Sequence, residues 1–175
     1  MRLIQSILYY DQSLFVWVLQ RKYYARLVAM SYWVSKTGDG VWYVILGAAL
    51  YWLEPAQGPS FLASGMAAFA LERPLYFVLK NSLKRGRPQT KISGFHSHIV
   101  PADEFSFPSG HTSAAFLVAV LCAWFYPAMT LWAFLWAPLV GISRIFLGVH
   151  YPADVVIGAL MGSACALVGI QLAAL

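Results

Sequence analysis

The sequence predicts an all-α, polytopic membrane protein, and its composition and apolar runs carry that prediction. Of the 175 residues, 60% are hydrophobic and 11% are charged, with a mean hydropathy of +0.64. In an average soluble domain about a quarter of the residues are charged. Several apolar stretches approach the roughly 20 residues that a membrane-spanning helix needs. The length is that of one domain covering residues 1–175.

Five membrane spans are predicted after an N-terminal segment. They cover residues 38–53, 60–80, 109–126, 129–146 and 153–174. Turn-forming residues at 54–59 separate the first two spans. The last span carries small residues at helical spacing, a pattern that lets membrane helices approach closely. We interpret these residues as packing positions; they are Gly158, Gly162, Ala166 and Gly169.

Residues 1–36 are predicted to lie at the membrane interface. They alternate aromatic side chains with cations, a pattern typical of interfacial helices. Three cations at residues 21–26 would be costly inside the bilayer if this segment spanned it. We therefore predict one or two interfacial helices, with a sixth span as the alternative. The segment does not have the features of a removable signal peptide.

The connection between the second and third spans carries the densest positive charge. Its run KNSLKRGRPQTK, residues 80–91, holds five of the twelve cations of the chain and no acid. A cytoplasmic loop by the positive-inside rule is one interpretation. Attraction to anionic lipid head groups is a second, and a binding site for an anionic substrate is a third.

The third span opens with the polar stretch FPSGHTSAAF, which begins at Phe107. Ser109 is the predicted N-cap, so the amides of Gly110 and His111 lie at the positive end of the helix dipole. Gly110 has no side chain, and a ligand can approach its backbone closely. His111 would lie beside any anion bound there. An ordinary helix cap with an incidental histidine is the alternative.

The fifth span begins with a second candidate site. Pro152 fits the first helical position, which makes Tyr151 the cap and places Asp154 in the first turn. Asp154 can reach back to one nitrogen of His150. That contact would fix the imidazole tautomer and leave the other nitrogen as nucleophile or base. A capping aspartate beside an interfacial histidine is the simpler alternative.

Alternating span directions bring these groups to one side of the membrane. The second span ends at Lys80 and the fourth at Arg144, whereas the third and fifth begin near His111 and His150. Arg144 could extend to the interface or offer its planar fork to a phosphate. Cations and amides in this arrangement suit the transfer of a phosphoryl group. One histidine would attack phosphorus and the other would protonate the leaving oxygen, and these residues leave open which does which.

Three segments together resemble the signature of the type 2 phosphatidic acid phosphatase (PAP2) superfamily. They are Lys80-(six residues)-Arg87-Pro88, Pro108-Ser109-Gly110-His111, and Ser143-Arg144-(five residues)-His150-(three residues)-Asp154. Three motifs in fixed order and spacing are a specific signal. The resemblance implies a helical core shared with vanadium haloperoxidases. It also implies hydrolysis of a lipid phosphate monoester or pyrophosphate, without a metal or another cofactor.

The resemblance also implies a role for each residue. His150 would be the nucleophile that forms a phosphohistidine, Asp154 would orient it, and His111 would be the general acid. The phosphate oxygens would be held by Lys80, Arg87, Ser109, Gly110 and Arg144. The expected partners are a phosphorylated membrane lipid and the lipid bilayer, not nucleic acid. The implied location is the bacterial inner membrane, with the site on the periplasmic or outer face, which conflicts with the positive-inside interpretation.

Other functions remain open at this point. A transporter would keep its ionisable groups near the middle of the bilayer, whereas these groups lie at span ends. A metal-dependent hydrolase could use the same residues with His96 and His98, which we interpret as solvated or head-group contacts. A serine hydrolase would use Ser109 as nucleophile. The motifs do not distinguish phosphatidate, phosphatidylglycerol phosphate, undecaprenyl pyrophosphate and a lipid A phosphate as substrates.

One adjacent pair of charges, Glu72 and Arg73, lies inside the second span. Neighbouring residues on a helix do not face each other. We therefore expect each of them to find a partner on another helix or in water near the site.

Overall fold

The computed structural model describes residues 2–175, with side chains from residue 8 onward, and over this range it contains helices and no strand. The elements are α1 (Arg2–Leu19), α2 (Tyr24–Thr37), α3 (Gly40–Leu53), α4 (Gly58–Leu83), α5 (Pro88–Lys91), α6 (Gly110–Phe125), a 3-10 turn (Pro127–Met129), α7 (Thr130–Phe146) and α8 (Pro152–Ala173). The all-α prediction is confirmed. The five predicted spans correspond to α3, α4, α6, α7 and α8 within a few residues.

The apolar helices make the chain a multi-pass membrane protein. Within the described residues, three segments are long and apolar enough to cross a bilayer: Gly58–Lys91, Pro127–Phe146 and Pro152–Ala173. The other two apolar helices, α3 and α6, have 14 and 16 residues. At about 1.5 Å of rise per residue they are roughly 21 and 24 Å long, which is less than the roughly 30 Å of a bilayer core.

The centre of the bundle is formed by α6 and α8. α8 packs against both α6 and α4, α7 packs on the other side of α6, and α3 packs on α4. Leu117 and Leu121 of α6 and Ala166 of α8 belong to the buried core between these helices. Both cysteines, Cys122 in α6 and Cys165 in α8, are free thiols.

Small residues on α8 allow this close packing. A methyl group at Gly162 would lie 1.9 Å from the carbonyl oxygen of Ser113, and one at Gly158 would lie 2.6 Å from that of Ser109. On the α4 side, a methyl group at Gly169 would lie 2.6 Å from the Cβ of Ala68. The interpretation of these glycines as packing positions is therefore confirmed.

The N-terminal segment forms two helices, as predicted, and α1 lies across the end of the bundle where α8 begins. Asp11 Oδ1 accepts a hydrogen bond of 2.9 Å from the backbone N–H of Ala153. Phe15 is fully buried and packs edge-on against Tyr151, with ring centroids 5.5 Å apart. The remaining faces of α1 leave large apolar side chains exposed; among them are Tyr9, Tyr10 and Trp17. The other N-terminal helix, α2, packs along α7.

Glu72 and Arg73 differ in part from the prediction. The two side chains pair with each other, since the Arg73 guanidinium donates to both carboxylate oxygens of Glu72. An arginine side chain is long enough to fold back along the helix surface, which the rule for adjacent residues neglects. Glu72 is fully buried and also accepts a hydrogen bond of 2.6 Å from Ser113 Oγ on α6. That second contact is the partner on another helix that was expected.

Replacing Gly162 with alanine tests the packing of α8 on α6. The new methyl group would meet the backbone of Ser113, which cannot move without separating the helices. We expect a loss of stability of about 1–3 kcal/mol, as in other overpacked cores, measured by thermal unfolding in detergent micelles. Gly65→Ala on α4 is the matched control, because its methyl group would meet only Leu121 Cδ1 at an ordinary 3.5 Å. Equal stability of both variants would contradict this packing.

Candidate active site

The polar groups identified in the sequence meet at one end of the bundle, where α4 and α7 end and α6 and α8 begin. Lys80 lies in the last turn of α4 and Arg144 in the last turn of α7. The backbone N–H of Ser109 donates a hydrogen bond of 3.0 Å to the carbonyl of Asp154, which ties the start of α6 to the start of α8. These polar side chains are buried: Lys80, Arg87, Ser109, Arg144, His150 and Asp154 are each at most 6% exposed.

His150 and Asp154 face each other at the start of α8. The Nδ1 atom of His150 lies 3.6 Å from Oδ2 of Asp154, which is longer than a hydrogen bond, and Nδ1 has no hydrogen-bond partner among the residues described. Both carboxylate oxygens are held by other donors: Tyr151 N–H at 2.8 Å and Arg85 Nη1 at 2.7 Å. The carboxylate is thus fixed beside Nδ1, which leaves Nε2 for chemistry.

The environment of His150 favours a neutral ring. Burial lowers the pKa of His150 to about 4. The Asp154 carboxylate acts against burial and raises the pKa, whereas the positive charges of Arg144 and Arg87 lower it further. At neutral pH the imidazole therefore keeps a free lone pair, as a nucleophile requires.

A cavity of about 750 Å³ reaches two of the candidate residues, His111 and Arg144. His111 Nε2 lies 3.1 Å from Oδ1 of Asp39. Arg144 donates from Nη1 to Ser35 Oγ at 2.5 Å, whereas its buried Nε finds no partner within the described part of the chain. An unpaired buried N–H is costly, and an anionic oxygen would satisfy it. His150 does not line this cavity.

Lys80 and Arg87 bind the carboxylate of Asp103, which was not among the predicted site residues. Asp103 Oδ1 accepts from Lys80 Nζ at 2.7 Å and from Arg87 Nη2 at 2.5 Å, and its Oδ2 accepts from the hydroxyl of Tyr76 at 2.6 Å. Burial alone would raise the pKa of Asp103, but the hydrogen bonds from Lys80 and Tyr76 and the nearby charges lower it to about 2. Arg87 also donates from Nη1 to the carbonyl of Val149 at 2.6 Å, next to His150.

Ser109 and Gly110 occupy the predicted positions but make other contacts. Ser109 is the N-cap residue of α6, and its hydroxyl lies 2.8 Å from Thr112 Oγ1 without forming a capping hydrogen bond. A methyl group at Gly110 would lie 3.0 Å from Cε2 of Tyr76. A side chain at this position would therefore press on that ring, and the ring would have to shift by a few tenths of an ångström.

A family model described as the PAP2 superfamily matches residues 60–174. The chain belongs to the PAP2 superfamily. The match covers α4 through α8, which are the helices that assemble the site.

Curated relatives of this PAP2 protein include three bacterial proteins. The bacitracin transport permease protein BcrC of Bacillus licheniformis is 33% identical over 73% of this chain and 63% of its own length. The decaprenylphosphoryl-5-phosphoribose phosphatase of Mycolicibacterium smegmatis is 37% identical over 66% of this chain and 62% of its own length. Phosphatidylglycerophosphatase B of Bacillus subtilis is 32% identical over 68% of this chain and 60% of its own length. The chain thus spans less than two thirds of each of these relatives.

Two solved structures resemble this PAP2 fold closely. LpxE of Aquifex aeolicus superposes with a TM-score of 0.78 at 26% identity, covering 91% of this chain and 93% of LpxE. The transmembrane PAP2-type phosphatidylglycerolphosphate phosphatase of Bacillus subtilis superposes with a TM-score of 0.74 at 26% identity, covering 98% of this chain and 87% of that protein.

Several polar partners in this PAP2 site are not among the residues that the three motifs specify. They are Asp11, Ser35, Asp39, Arg85 and Asp103. Asp39 stands between two glycines and marks the start of the first span in the sequence, but here it orients His111. Burial would raise the pKa of Asp39, whereas hydrogen bonds from His111 and Lys36 lower it. One feature of the sequence could have identified Asp103 as a site residue: it is an acid in the polar segment that follows the cationic run.

The loop histidines stay at the surface of the PAP2 site. His96 and His98 are exposed, and His98 Nε2 lies 3.1 Å from the hydroxyl of Tyr24. Among the described side chains, no three His, Cys, Asp or Glu residues come together in a group that could hold a metal ion.

Replacing Asp103 with asparagine tests whether Lys80 and Arg87 form an anion site. The change removes the negative charge that balances the two buried cations. We expect inorganic phosphate to bind about tenfold more tightly, which is ~1.4 kcal/mol, measured by calorimetry in detergent. Glu104→Gln is the matched control, because this neighbouring acid is exposed and should leave phosphate binding unchanged. Weaker phosphate binding by Asp103→Asn would contradict an anion site at these cations.

Proposed function

We propose that this chain is a metal-independent membrane lipid phosphatase that hydrolyses a lipid phosphate monoester or pyrophosphate through a phosphohistidine intermediate. One observation carries the proposal: a buried His150 beside Asp154 lies at the bundle end that also buries Arg87 and Arg144. In this proposal His150 is the nucleophile, Asp154 orients it, and the cations bind the phosphate oxygens. We further propose that residues 1–175 act as one domain.

In the proposed reaction, Nε2 of His150 attacks phosphorus in line with the bond to the lipid oxygen. The N–P bond forms as the P–O bond breaks, and the leaving oxygen takes the electron pair. His111, in its protonated form and paired with Asp39, donates a proton to that oxygen and the lipid departs. Water then attacks phosphorus: the new P–O bond forms as the N–P bond breaks, Nε2 of His150 takes the electron pair, and His111 accepts the proton of the water. Inorganic phosphate is released, and His150 returns to the neutral state.

Fixed positive charge supplies the electrostatic stabilisation in this scheme. Arg144 Nε and the first amides of α6 are the proposed donors to the non-bridging oxygens. Lys80 and Arg87 join them when the phosphate takes over the contacts that they make with Asp103. Residues 101 and 102, which directly precede Asp103, line the cavity.

The contacts of Ser109 favour this scheme over a serine hydrolase. A serine nucleophile needs a base within hydrogen-bond reach, but the Ser109 hydroxyl is paired with that of Thr112. The candidate groups also lie at helix ends, whereas a transporter would keep them near the middle of the bilayer.

The proposed substrate class is a lipid that carries its phosphate at the head-group level. The names of the relatives refer to different lipids: decaprenylphosphoryl-5-phosphoribose, phosphatidylglycerophosphate, lipid A and undecaprenyl diphosphate. Their common chemistry is a terminal phosphate at the membrane surface. We therefore propose this class, and a panel of phosphatidate, phosphatidylglycerol phosphate, undecaprenyl pyrophosphate and lipid A phosphate to identify the member.

We propose that the protein lies in a bacterial inner membrane with its site on the outer face. The cationic run at the site end argues against this orientation, because the positive-inside rule would place it in the cytoplasm. Three of its five cations, Lys80, Arg85 and Arg87, are paired with carboxylates inside the protein. Cations with such a role do not report orientation as free loop cations do.

Replacing His150 or His111 with alanine is expected to abolish most phosphate release. Loss of the nucleophile should lower turnover by about 10³-fold or more, and loss of the general acid by about 10²- to 10⁴-fold. The assay is phosphate release from the four lipids in detergent with EDTA present. Wild-type protein incubated with ³²P-labelled substrate and quenched in denaturant at alkaline pH, where a phosphohistidine survives, should carry the label on His150.

Three outcomes would contradict this mechanism. A folded His150→Ala protein with near-normal turnover would remove the phosphohistidine. Loss of wild-type activity in EDTA would favour a metal-dependent hydrolase. A Ser109→Ala protein without turnover, beside a His150→Ala protein that is only slowed, would favour a serine nucleophile.

Thiol labelling tests the proposed orientation. Val100 is exposed at the site end, and Gln57 is exposed at the opposite end between α3 and α4. With Cys122 and Cys165 replaced by alanine, Val100→Cys should react with a membrane-impermeant maleimide in intact spheroplasts. Gln57→Cys should react only after permeabilisation, and the reverse pattern would place the site in the cytoplasm.

A further inference from the structure

Arg85 is one of the six unspecified residues between Lys80 and Arg87 of the first motif, and it joins the N-terminal helix to the candidate catalytic aspartate. Its Nη1 donates to Asp154 Oδ1 at 2.7 Å, and its Nη2 donates to Asp11 Oδ2 at 2.5 Å. The guanidinium also lies 4.2 Å from the ring centroid of Tyr151. The side chains are 16% exposed for Arg85, 6% for Asp11 and 0% for Asp154.

The geometry restricts the Asp154 carboxylate from both sides. Arg85 holds Oδ1, and the backbone N–H of Tyr151 holds Oδ2. The planar fork of an arginine fixes direction as well as distance, which a lysine cannot do. With both oxygens fixed, the carboxylate keeps its position 3.6 Å from Nδ1 of His150.

Asp11 in turn restricts Arg85. One oxygen of Asp11 accepts from Arg85, and the other accepts from the N–H of Ala153 in the first turn of α8. Phe15 lies one helical turn further along α1 and is fully buried against Tyr151 and Phe95. This polar and apolar pair of contacts fixes α1 directly over the start of α8.

We propose that Asp11 and Arg85 are positioning residues for Asp154, which makes α1 part of the catalytic unit. The inference rests on the proposed function, since both residues act on His150 through Asp154. Arg85 orients the carboxylate, and Asp11 orients Arg85 and balances its charge. Neither residue contacts the phosphate in this scheme, so their loss should change turnover more than substrate affinity.

The charges predict opposite effects of the two residues on the protonation of His150. The ring faces Asp154 on α8, Arg144 on α7 and Arg87 at the start of α5. Removing the positive charge of Arg85 leaves Asp154 freer to stabilise a protonated ring, which moves the acid limb of the kcat/KM profile to higher pH. Removing the negative charge of Asp11 leaves the positive charge of Arg85 less neutralised. The protonated His150 ring is then less stable, and the acid limb moves to lower pH.

The experiment measures kcat and KM for phosphate release across the pH range in wild type, Arg85→Met, Arg85→Lys, Asp11→Asn and the double variant Asp11→Asn/Arg85→Met. We expect Arg85→Met to lower kcat about 10- to 100-fold, the scale on which loss of an outer hydrogen-bond partner lowers activity at metal sites, with KM within about twofold. Arg85→Lys should restore the position of the acid limb but only part of kcat. The double variant should be no worse than Arg85→Met, because Asp11 acts through Arg85.

Lys84→Met is the matched control, since this exposed neighbour carries the same charge as Arg85 and should leave the kinetics unchanged. Folded variants with wild-type kcat and an unmoved acid limb would overturn this inference alone, as would shifts of the limb in the same direction. If Arg85→Met fails to fold, the values of kcat and the acid limb measured for Asp11→Asn and Arg85→Lys test the inference in its place. Wild-type protein that releases no phosphate from any lipid would remove the proposed function and this inference with it.

Discussion

The structure depends on how it balances positive charge buried at one end of an apolar bundle. Burying an unpaired cation is costly, and breaking an existing buried pair is costlier than never forming it. Lys80 and Arg87 are balanced by Asp103, which holds the connection between α4 and α6 over the site. Arg144 has only the neutral hydroxyl of Ser35 as a hydrogen-bond partner among the described residues, and its Nε has none. The least balanced cation therefore lies on the cavity, where a phosphate is the proposed partner.

Acidic residues from distant parts of the chain contribute to this charge balance. Four of the seven acidic residues, Asp11, Asp39, Asp103 and Asp154, contact the site or its cations. They come from α1, from the turn before α3, from the loop before α6 and from α8. The helices that match the family begin at residue 60, yet two of these acids precede that point. The N-terminal helices thus contribute charge and orientation to a site whose motifs lie elsewhere.

The helices and the positions of the motif residues could be predicted from the sequence, but the side chains that contact the motif residues could not. Apolar runs broken by glycine and proline locate the spans, and small residues on one side of α8 indicate its packing, because these signals are local. The pairing of Arg85 with Asp11 joins residues 74 positions apart, and that depends on the path of the loops. Asp39 was not among the predicted site residues, although it lies at the start of the first predicted span. The expected separation of Glu72 and Arg73 was wrong, because rules about helix faces describe where side chains start and not how far an arginine can reach.

The spacing between His150 and Asp154 has a consequence for the proposed reaction. Before attack, burial keeps the imidazole neutral, and the 3.6 Å separation gives little hydrogen-bond energy to the ground state. As the N–P bond forms, the ring becomes positive, and a carboxylate already held by Arg85 and Tyr151 can stabilise that charge without reorganising. An interaction that is weak before the reaction and strong during it lowers the barrier, whereas one of equal strength throughout would not. The long contact in the resting site is therefore consistent with the proposed chemistry, in which the rest of the chain holds the carboxylate in place.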